Sequence, residues 1–251
     1  MENTNLYEVL GKRRSIRKFA EGKLEDSKLN AIKDFINNVK PLFPDIKTEF
    51  TFCTSEEISG KFPGLAKKAP HYLLAWSEKK PYYLENIGFI MEKVDLYLSA
   101  NGIGSLYLGG AKPKNKNNAN GYEYCTMLAF GNTFETLYRN SPYEYKRKKL
   151  SEITVVEGSE DILRIACLAP SGFNSQKWFF SGVKQKLVLN RVKLNLIQKP
   201  LMNKDNQIDM GIICAFIDII VAHKNKKANF VVEAGTPPHS KEHKYVLTIN
   251  L

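Results

Sequence analysis

The sequence predicts an α+β fold of two pseudo-symmetric halves, each with a small mixed or antiparallel sheet flanked by helices. One observation is that helix and strand patterns follow in the same order in the two parts of the 251-residue chain. Another is that the stretch "DMGIICAFIDIIVAH" matches "NIGFIMEKVDLYLSA", which places Gly88 and Gly211 123 positions apart. The same spacing separates Asp95 from Asp218. A repeated supersecondary unit explains both observations.

The first half is predicted to contain three helices and four strands. The first helix ends at Gly11, and the second is stopped by Pro41, which has no backbone N–H to donate. The strands are short apolar or alternating runs. The helices are expected at Thr4–Leu10, Glu25–Val39 and Asn86–Asn101, and the strands within "IKTEFTFC", "PHYLLAW", "GIGSLYLGG" and "YCTMLAFG".

The second half repeats this order after a polar seam within residues 140–152. A helix in "EDILRIACLAP" is stopped by Pro170, as the earlier one is by Pro41. Strands are expected in "WFFSGV" and "KYVLTINL", with the long helix "DMGIICAFIDIIVAH" between them. The predicted halves are therefore residues 1–145 and 146–251, in one compact unit.

The composition indicates a folded protein. The chain is 43% hydrophobic and 25% charged, which argues against disorder. Its net charge of +11 raises the possibility of a nucleic-acid partner, but the lysines are scattered through polar connectors beside asparagines. We therefore expect no nucleic-acid surface.

The cysteines and the apolar stretches favour a cytoplasmic protein. Four widely spaced cysteines without a CxxC pair predict free, mostly buried thiols in a reducing compartment. The longest apolar run is interrupted by Asp209 and Asp218 and is shorter than the ~20 residues of a membrane span. The N-terminal "MENTNLYEV" lacks the apolar core of a signal peptide.

Most sequence patterns of self-sufficient catalytic sites are missing. The chain has no GxxxxGK[ST], HExxH or GxSxG pattern, and no GxGxxG after a strand. His239 and His243 have a metal-like spacing, but no cysteine or carboxylate cluster nearby completes a site, so no metal is expected. If the protein is an enzyme, its chemistry is expected to come from a cofactor.

Two polar stretches remain as candidate binding elements. "RRSIRKF", residues 13–19, places four cations around one serine. This pattern fits a solvent-exposed surface, a nucleic-acid contact or a binding site for one small anion. "APSGFNSQKWFF", residues 169–180, offers small and polar groups between a helix and a strand, where a flat ring could approach the backbone. Taken alone, each stretch also fits an ordinary surface segment.

Together, the two stretches resemble the FMN-dependent nitroreductase family. Members typically carry Arg-Arg-Ser-x-Arg-x-Phe after a first helix and Ala-Pro-Ser-x-x-Asn-x-Gln-Pro-Trp one helix later. Weaker likenesses are "GIGSLYLGG" and "RKKL", residues 147–150. Ordinary members are homodimers in which the two motifs reach each FMN from opposite chains. Here the motifs are divided between the halves, as in the fused, single-chain branch, and Lys177 replaces the family's proline.

The resemblance implies a role for each motif residue. Arg13 and Arg147 would hold the FMN phosphate, because guanidinium groups bind phosphate in a forked, charge-assisted geometry. Arg14 and Ser15 would line the ribityl chain. Arg17 would stabilise negative charge at the pyrimidine edge of the flavin. The other implied contacts are Gly109 and Gly110, with N–H groups near flavin N5, and Pro170, Ser171, Asn174 and Gln176 of the second half.

The implied function is hydride transfer from NADH or NADPH through FMN to a nitroaromatic, quinone or similar small-molecule acceptor, without a catalytic side chain. One FMN per chain is expected, in a monomer with pseudo-dimer architecture and no membrane partner. Phe173 would face the substrate, and residues 112–122 would form a flexible connector able to cover the site. Two alternatives remain open: a flavin-binding protein without turnover, for storage or sensing, and a basic nucleic-acid-binding protein.

Overall fold

Two four-stranded antiparallel sheets pack around a central pair of long helices in the computed structural model, which describes residues 5–60, 69–116 and 118–251. This confirms the predicted fold class, with helices flanking small antiparallel sheets. The helices are α1 (Tyr7–Leu10), α2 (Asp26–Asn38), α3 (Tyr83–Ala100), α4 (Glu160–Ala166) and α5 (Lys199–His223).

Six described strands precede the seam. They are β1 (Thr48–Cys53), β2 (Ile58–Gly60), β3 (His71–Ser77), β4 (Gly104–Tyr107), β5 (Ala111–Pro113) and β6 (Glu123–Gly131). Four of them form a sheet in the order β1-β3-β6-β4, and β2 pairs separately with β5. In this sheet Leu73 stands opposite both Phe52 and Leu128, so that each strand adds apolar side chains to one face.

Strand β3 is buried on both faces. Leu73 and Ala75 belong to the main core with the helix pair, whereas Tyr72, Leu74 and Trp76 belong to a smaller core on the opposite face. A strand that is covered on both sides needs no polar alternation. This explains why "PHYLLAW" is a nearly continuous apolar run.

The second sheet repeats the strand order of the first. Its strands are β7 (Trp178–Val183), β8 (Lys186–Val192), β9 (Asn229–Val231) and β10 (His243–Asn250), in the order β7-β8-β10-β9. In both sheets the first two strands pair, and the fourth strand then lies between the second and the third. Trp178 and Phe180 are fully buried against the core.

Helices α3 and α5 cross in close contact at two glycines. A Cβ on Gly88 would lie 2.0 Å from the carbonyl oxygen of Ile208, and a Cβ on Gly211 would lie 1.8 Å from that of Glu85. No side chain fits at either distance, so glycine is required for this crossing. The two contacts are counterparts at the same 123-residue spacing that the sequence shows.

The predicted elements are found, with several corrections. The described part of the first helix is Tyr7–Leu10 with Leu6 at its N-cap, and the predicted cap Thr4 lies outside the described residues. The fifth helix begins at Lys199, well before its apolar run. The prediction that residues 112–122 form only a flexible connector is wrong at its start, because Ala111–Pro113 pairs with β2. Strands β2, β5, β8 and β9 were not predicted.

Helix α5 passes a length and composition test for a membrane span, contrary to the expectation from its apolar run. It has 25 residues, and its most apolar window has a mean hydropathy of 1.4. However, 72% of that window is buried inside the protein. The helix therefore matches the buried core helix of a globular fold.

The four cysteines are free thiols, as predicted. Cys125 and Cys214 are buried, and Cys53 and Cys167 are partly buried. Burial raises the pKa of the Cys125 thiol to about 12, so it stays protonated at neutral pH.

We expect Gly88→Ala and Gly211→Ala each to destabilise the protein by about 3 kcal/mol or more, because the added methyl group forces the helix backbones apart. The measurement is urea-induced unfolding. Gly11→Ala is the matched control, because a Cβ there meets nothing within 4 Å and the φ of −87° suits alanine. Wild-type stability in both core variants would contradict the close crossing.

Candidate functional site

In the second half, hydrogen bonds join residues 146–148 to the polar loop of residues 169–176. The Lys148 backbone N–H donates to Gln176 Oε1 at 2.8 Å, and Asn174 Nδ2 donates to the Lys146 carbonyl oxygen at 2.8 Å. The Lys148 ammonium group also donates to the Gln176 carbonyl oxygen at 3.0 Å. These bonds fix the polar loop, residues 169–176, against residues 146–148.

The polar loop holds an unusual backbone conformation. Five described non-glycine residues have positive φ, and three of them are Phe173 (54°), Asn174 (54°) and Gln176 (47°). Such conformations cost about 1–3 kcal/mol each and cluster at functional sites. Ser171 Oγ accepts the Gln176 N–H at 3.0 Å, and Asp209 Oδ1 accepts the Gly172 N–H at 2.9 Å. The loop is thus held in shape without the family's proline at Lys177.

A cluster of guanidinium groups lies beside this loop. Arg147 donates to Asn174 Oδ1 and, at 2.9 Å, to the Leu168 carbonyl oxygen. The guanidinium carbons of Arg139 and Arg147 lie 4.0 and 5.1 Å from the centre of the Tyr145 ring. Burial, followed by repulsion from Arg13 and Arg139, lowers the pKa of Arg147 to about 10. Like charges at this density favour a bound anion.

Arg13 is buried, unlike the other arginines of its motif. It forms an ion pair with Asp95 of α3 and donates to Ser15 Oγ at 3.3 Å. Burial opposes the charged form, but the attraction of Asp95 prevails and raises the pKa of Arg13. The guanidinium therefore has partners within the protein, and its direct contact with a phosphate stays a prediction.

The remainder of "RRSIRKF" lies near the surface except for Ile16, which is fully buried and donates its backbone N–H to the Ser105 carbonyl oxygen at 2.9 Å. Glu135 Oε2 accepts the backbone N–H groups of Arg17 and Lys18 at 2.8 and 2.9 Å. Arg14 and Ser15 are partly buried, and the side chain of Arg17 is exposed. The segment is thus tethered by its backbone, while the charge of Arg17 faces solvent.

The glycine pair of the first half meets the polar loop of the second half at Asp205. A Cβ on Gly109 would lie 3.0 Å from Asp205 Oδ2, and a Cβ on Gly172 would lie 2.9 Å from Asp205 Cβ. Gly109 and Gly110 are exposed, and no described hydrogen bond uses their N–H groups. The structure therefore brings the two halves together here, with two free donors at the surface.

Several buried polar atoms near the site have no hydrogen-bond partner among the described residues. Buried polar groups normally have a hydrogen-bond partner, so each buried atom without one is an exception. Burial and the charge of Asp95 raise the pKa of Glu92 well above its usual range, which keeps this carboxyl neutral. The atoms are Arg147 Nε, Ser175 Oγ, Glu92 Oε1 and Asp209 Oδ2.

Arg139, Glu135 and Asp205 were not among the predicted site residues. The spacing of Asp205 and Asp209 on one face of a helix was a usable signal, because residues four apart are neighbours. Arg139 and Glu135 stand in a connector without a recognisable pattern, so only the fold reveals them. The predicted residue Pro170 is partly buried at the start of the loop.

A sizeable cavity lies away from this junction. It measures about 620 Å³ and is bordered by α1, the end of α2 and the last turns of α5, with Lys93 paired to Asp218 at 2.7 Å. The candidate site is instead an open, polar surface between the two halves.

The comparisons with known proteins identify the family. Residues 5–220 match the family described as "Putative TM nitroreductase". A putative nitroreductase from Thermotoga maritima is similar over 100% of this chain and 95% of its own, with 19% sequence identity and a TM-score of 0.66. No curated protein matches the chain. The chain therefore belongs to this nitroreductase family, which confirms the resemblance seen in the motifs and the predicted fold.

Two further solved structures are similar over part of the chain. An FMN-dependent nitroreductase from Clostridium difficile R20291 covers 57% of this chain and 96% of its own, with 20% identity and a TM-score of 0.42. A putative nitroreductase in complex with FMN from Desulfovibrio desulfuricans covers 61% of this chain and 95% of its own, with 13% identity and a TM-score of 0.45.

We expect Arg13→Met to lower the stability of the ligand-free protein by about 3–5 kcal/mol, because Asp95 then stays buried without its counterion. The measurement is urea-induced unfolding without added flavin. Arg14→Met is the control, and it should change stability by less than about 1 kcal/mol, because Arg14 is partly exposed. An Arg13→Met variant as stable as the wild type would show that Arg13 serves a ligand rather than the fold.

Proposed function

We propose that the protein is an FMN-dependent oxidoreductase that takes hydride from NADH or NADPH and passes it to a nitroaromatic, quinone or similar acceptor. The observation that carries the proposal is the junction of residues 146–148, the strained polar loop and Gly109 beside a cluster of arginines. When bound, FMN would supply the redox chemistry, because its ring can accept a hydride and pass it on.

The arginine cluster fits the phosphate of this cofactor. A phosphate monoester carries about −1.5 to −2 charge, which would offset the repulsion among Arg13, Arg139 and Arg147. Arg147 Nε is a buried donor without a partner in the described chain, and a phosphate oxygen would accept from it. We assign the direct contacts to Arg147 and Arg139, with Arg13 contributing charge from its ion pair with Asp95.

The junction also fits a flat ring. Gly109 and Gly110 would offer two unused N–H groups at a surface without side chains. Phe173 is 79% exposed on the polar loop and would contact an aromatic acceptor. Arg14 and Ser15 would line the sugar chain, and Arg17 would hold a positive charge at the pyrimidine edge. Ser171, Asn174 and Gln176 would shape the opposite side of the site.

The repeated strand order and the reciprocal glycine contacts support a further proposal, that the chain is an internal duplication. Each half carries only one of the two motif sets, so the fused chain would form one cofactor site and act as a monomer. We also propose a cytoplasmic location, which suits four free thiols and a pool of reduced nicotinamide.

Two other functions remain as alternatives. A flavin-binding protein without turnover would share the whole site and differ only in its reaction with NADH or NADPH. A nucleic-acid-binding protein would need exposed aromatic residues among surface cations, whereas the arginines of the cluster are partly or fully buried.

The proposal predicts one FMN per chain, and calorimetric titration of the apoprotein measures this ratio. Riboflavin, which lacks the phosphate, is the control ligand and should bind at least about tenfold more weakly, because each charge-assisted contact contributes about 1.5–3 kcal/mol. Saturation near two FMN per chain would contradict the divided motifs. Bleaching of the bound FMN by NADPH in the absence of oxygen would indicate an enzyme. No bleaching would indicate a flavin-binding protein without turnover.

A further inference from the structure

Asp205 is placed where the two halves meet but has no role in the cofactor contacts described above. Its Oδ2 would lie 3.0 Å from a Cβ on Gly109, and its Cβ would lie 2.9 Å from a Cβ on Gly172. Any side chain at Gly172 would have to displace Asp205. The absence of side chains at both glycines therefore leaves room for this carboxyl group between the two loops.

The carboxyl group of Asp205 has no hydrogen bond or ion pair among the described residues. Its neighbour Lys204 is directed elsewhere, donating to the Tyr124 carbonyl oxygen at 2.6 Å with its ammonium group 5.0 Å from the Tyr124 ring centre. Asp209, one turn further along α5, accepts the Gly172 N–H. Asp205 is partly buried, and its carboxyl oxygens are not among the buried atoms without a partner, so they are open to a ligand.

Burial, rather than a neighbouring charge, shifts Asp205 toward its protonated form. Burial raises the pKa of Asp205, and the cation of Lys204 opposes this only partly. Asp209 is fully buried, and its own pKa is raised well above the usual range, first by burial and then by Asp205. Tyr124 also faces this corner, and Lys204 in turn interacts with Cys125, Glu123 and Lys112.

We propose that Asp205 is the proton donor to the electron acceptor at this site. The proposal rests on the proposed function, because it places the acceptor against the ring of a cofactor bound at Gly109 and Gly110. Asp205 lies beside both Gly109 and Gly172, on the two loops that would hold the ring, and it has no competing partner in the described chain.

The proposed step balances for a quinone acceptor. One carbonyl oxygen of the quinone takes a hydride, which is equivalent to two electrons and one proton. The hydride comes from FMN that NADH or NADPH has reduced. The other oxygen takes a proton from the Asp205 carboxyl O–H, and a hydroquinone leaves. The Asp205 carboxylate then regains its proton from water.

The test is stopped-flow reoxidation of the FMN-loaded, NADPH-reduced protein by a benzoquinone across a range of pH. In the wild type the rate should fall as pH rises and Asp205 loses its proton. Asp205→Asn should be about 10²-fold slower and independent of pH in this range, within the usual gain from general acid catalysis. Asp205→Glu should restore part of the rate and the pH dependence. The control Asp26→Asn, an exposed carboxylate of α2, should match the wild type.

A second readout does not depend on activity. Binding of FMN should bury Asp205 further, so calorimetry in two buffers of different protonation enthalpy near pH 6 should show proton uptake by the wild type and less by Asp205→Asn. Equal uptake together with a wild-type reoxidation profile in Asp205→Asn would overturn the role of Asp205. Failure of both proteins to bind FMN would instead overturn the proposed function.

Discussion

The close crossing of α3 and α5 is the constraint on which the rest of the structure depends. At Gly88 and Gly211 the backbones of the two helices touch, so the two halves have little freedom to shift against each other. Each helix also supports one side of the candidate site. Asp95 of α3 holds Arg13, and Asp209 of α5 holds the polar loop through the Gly172 N–H. Residues of both halves thereby line the candidate site.

Four carboxyl groups of this helix pair are buried: Glu85, Glu92, Asp95 and Asp209. Asp95 is compensated by Arg13 and by the Ser105 hydroxyl, whereas burial raises the pKa of Glu92, whose Oε2 accepts from the Tyr107 hydroxyl at 3.1 Å. Buried polar groups of this kind specify one arrangement, because every alternative leaves a charge without a partner. We infer that they fix the arginine cluster at the expense of some stability.

The sequence predicted the order of elements well, because helices and buried strands have distinct apolar patterns. It predicted the position of the polar loop from Pro170 and its polar residues, but not its left-handed backbone at Phe173 and Asn174. The burial of Arg13 was missed because its counterion Asp95 is 82 residues away. Strand β5 was missed because Ala111–Pro113 is short and gains its order only by pairing with β2.

The most direct measurement is FMN binding by residues 1–145 and residues 146–251, produced separately and then mixed. Neither half alone should bind FMN, because Arg13 and Gly109 belong to one and the polar loop to the other. The first half should also self-associate through the exposed face of α3. The mixture should recover soluble, yellow protein with FMN bound. A soluble, monomeric first half that binds FMN as tightly as the whole chain would contradict a site assembled across the helix pair.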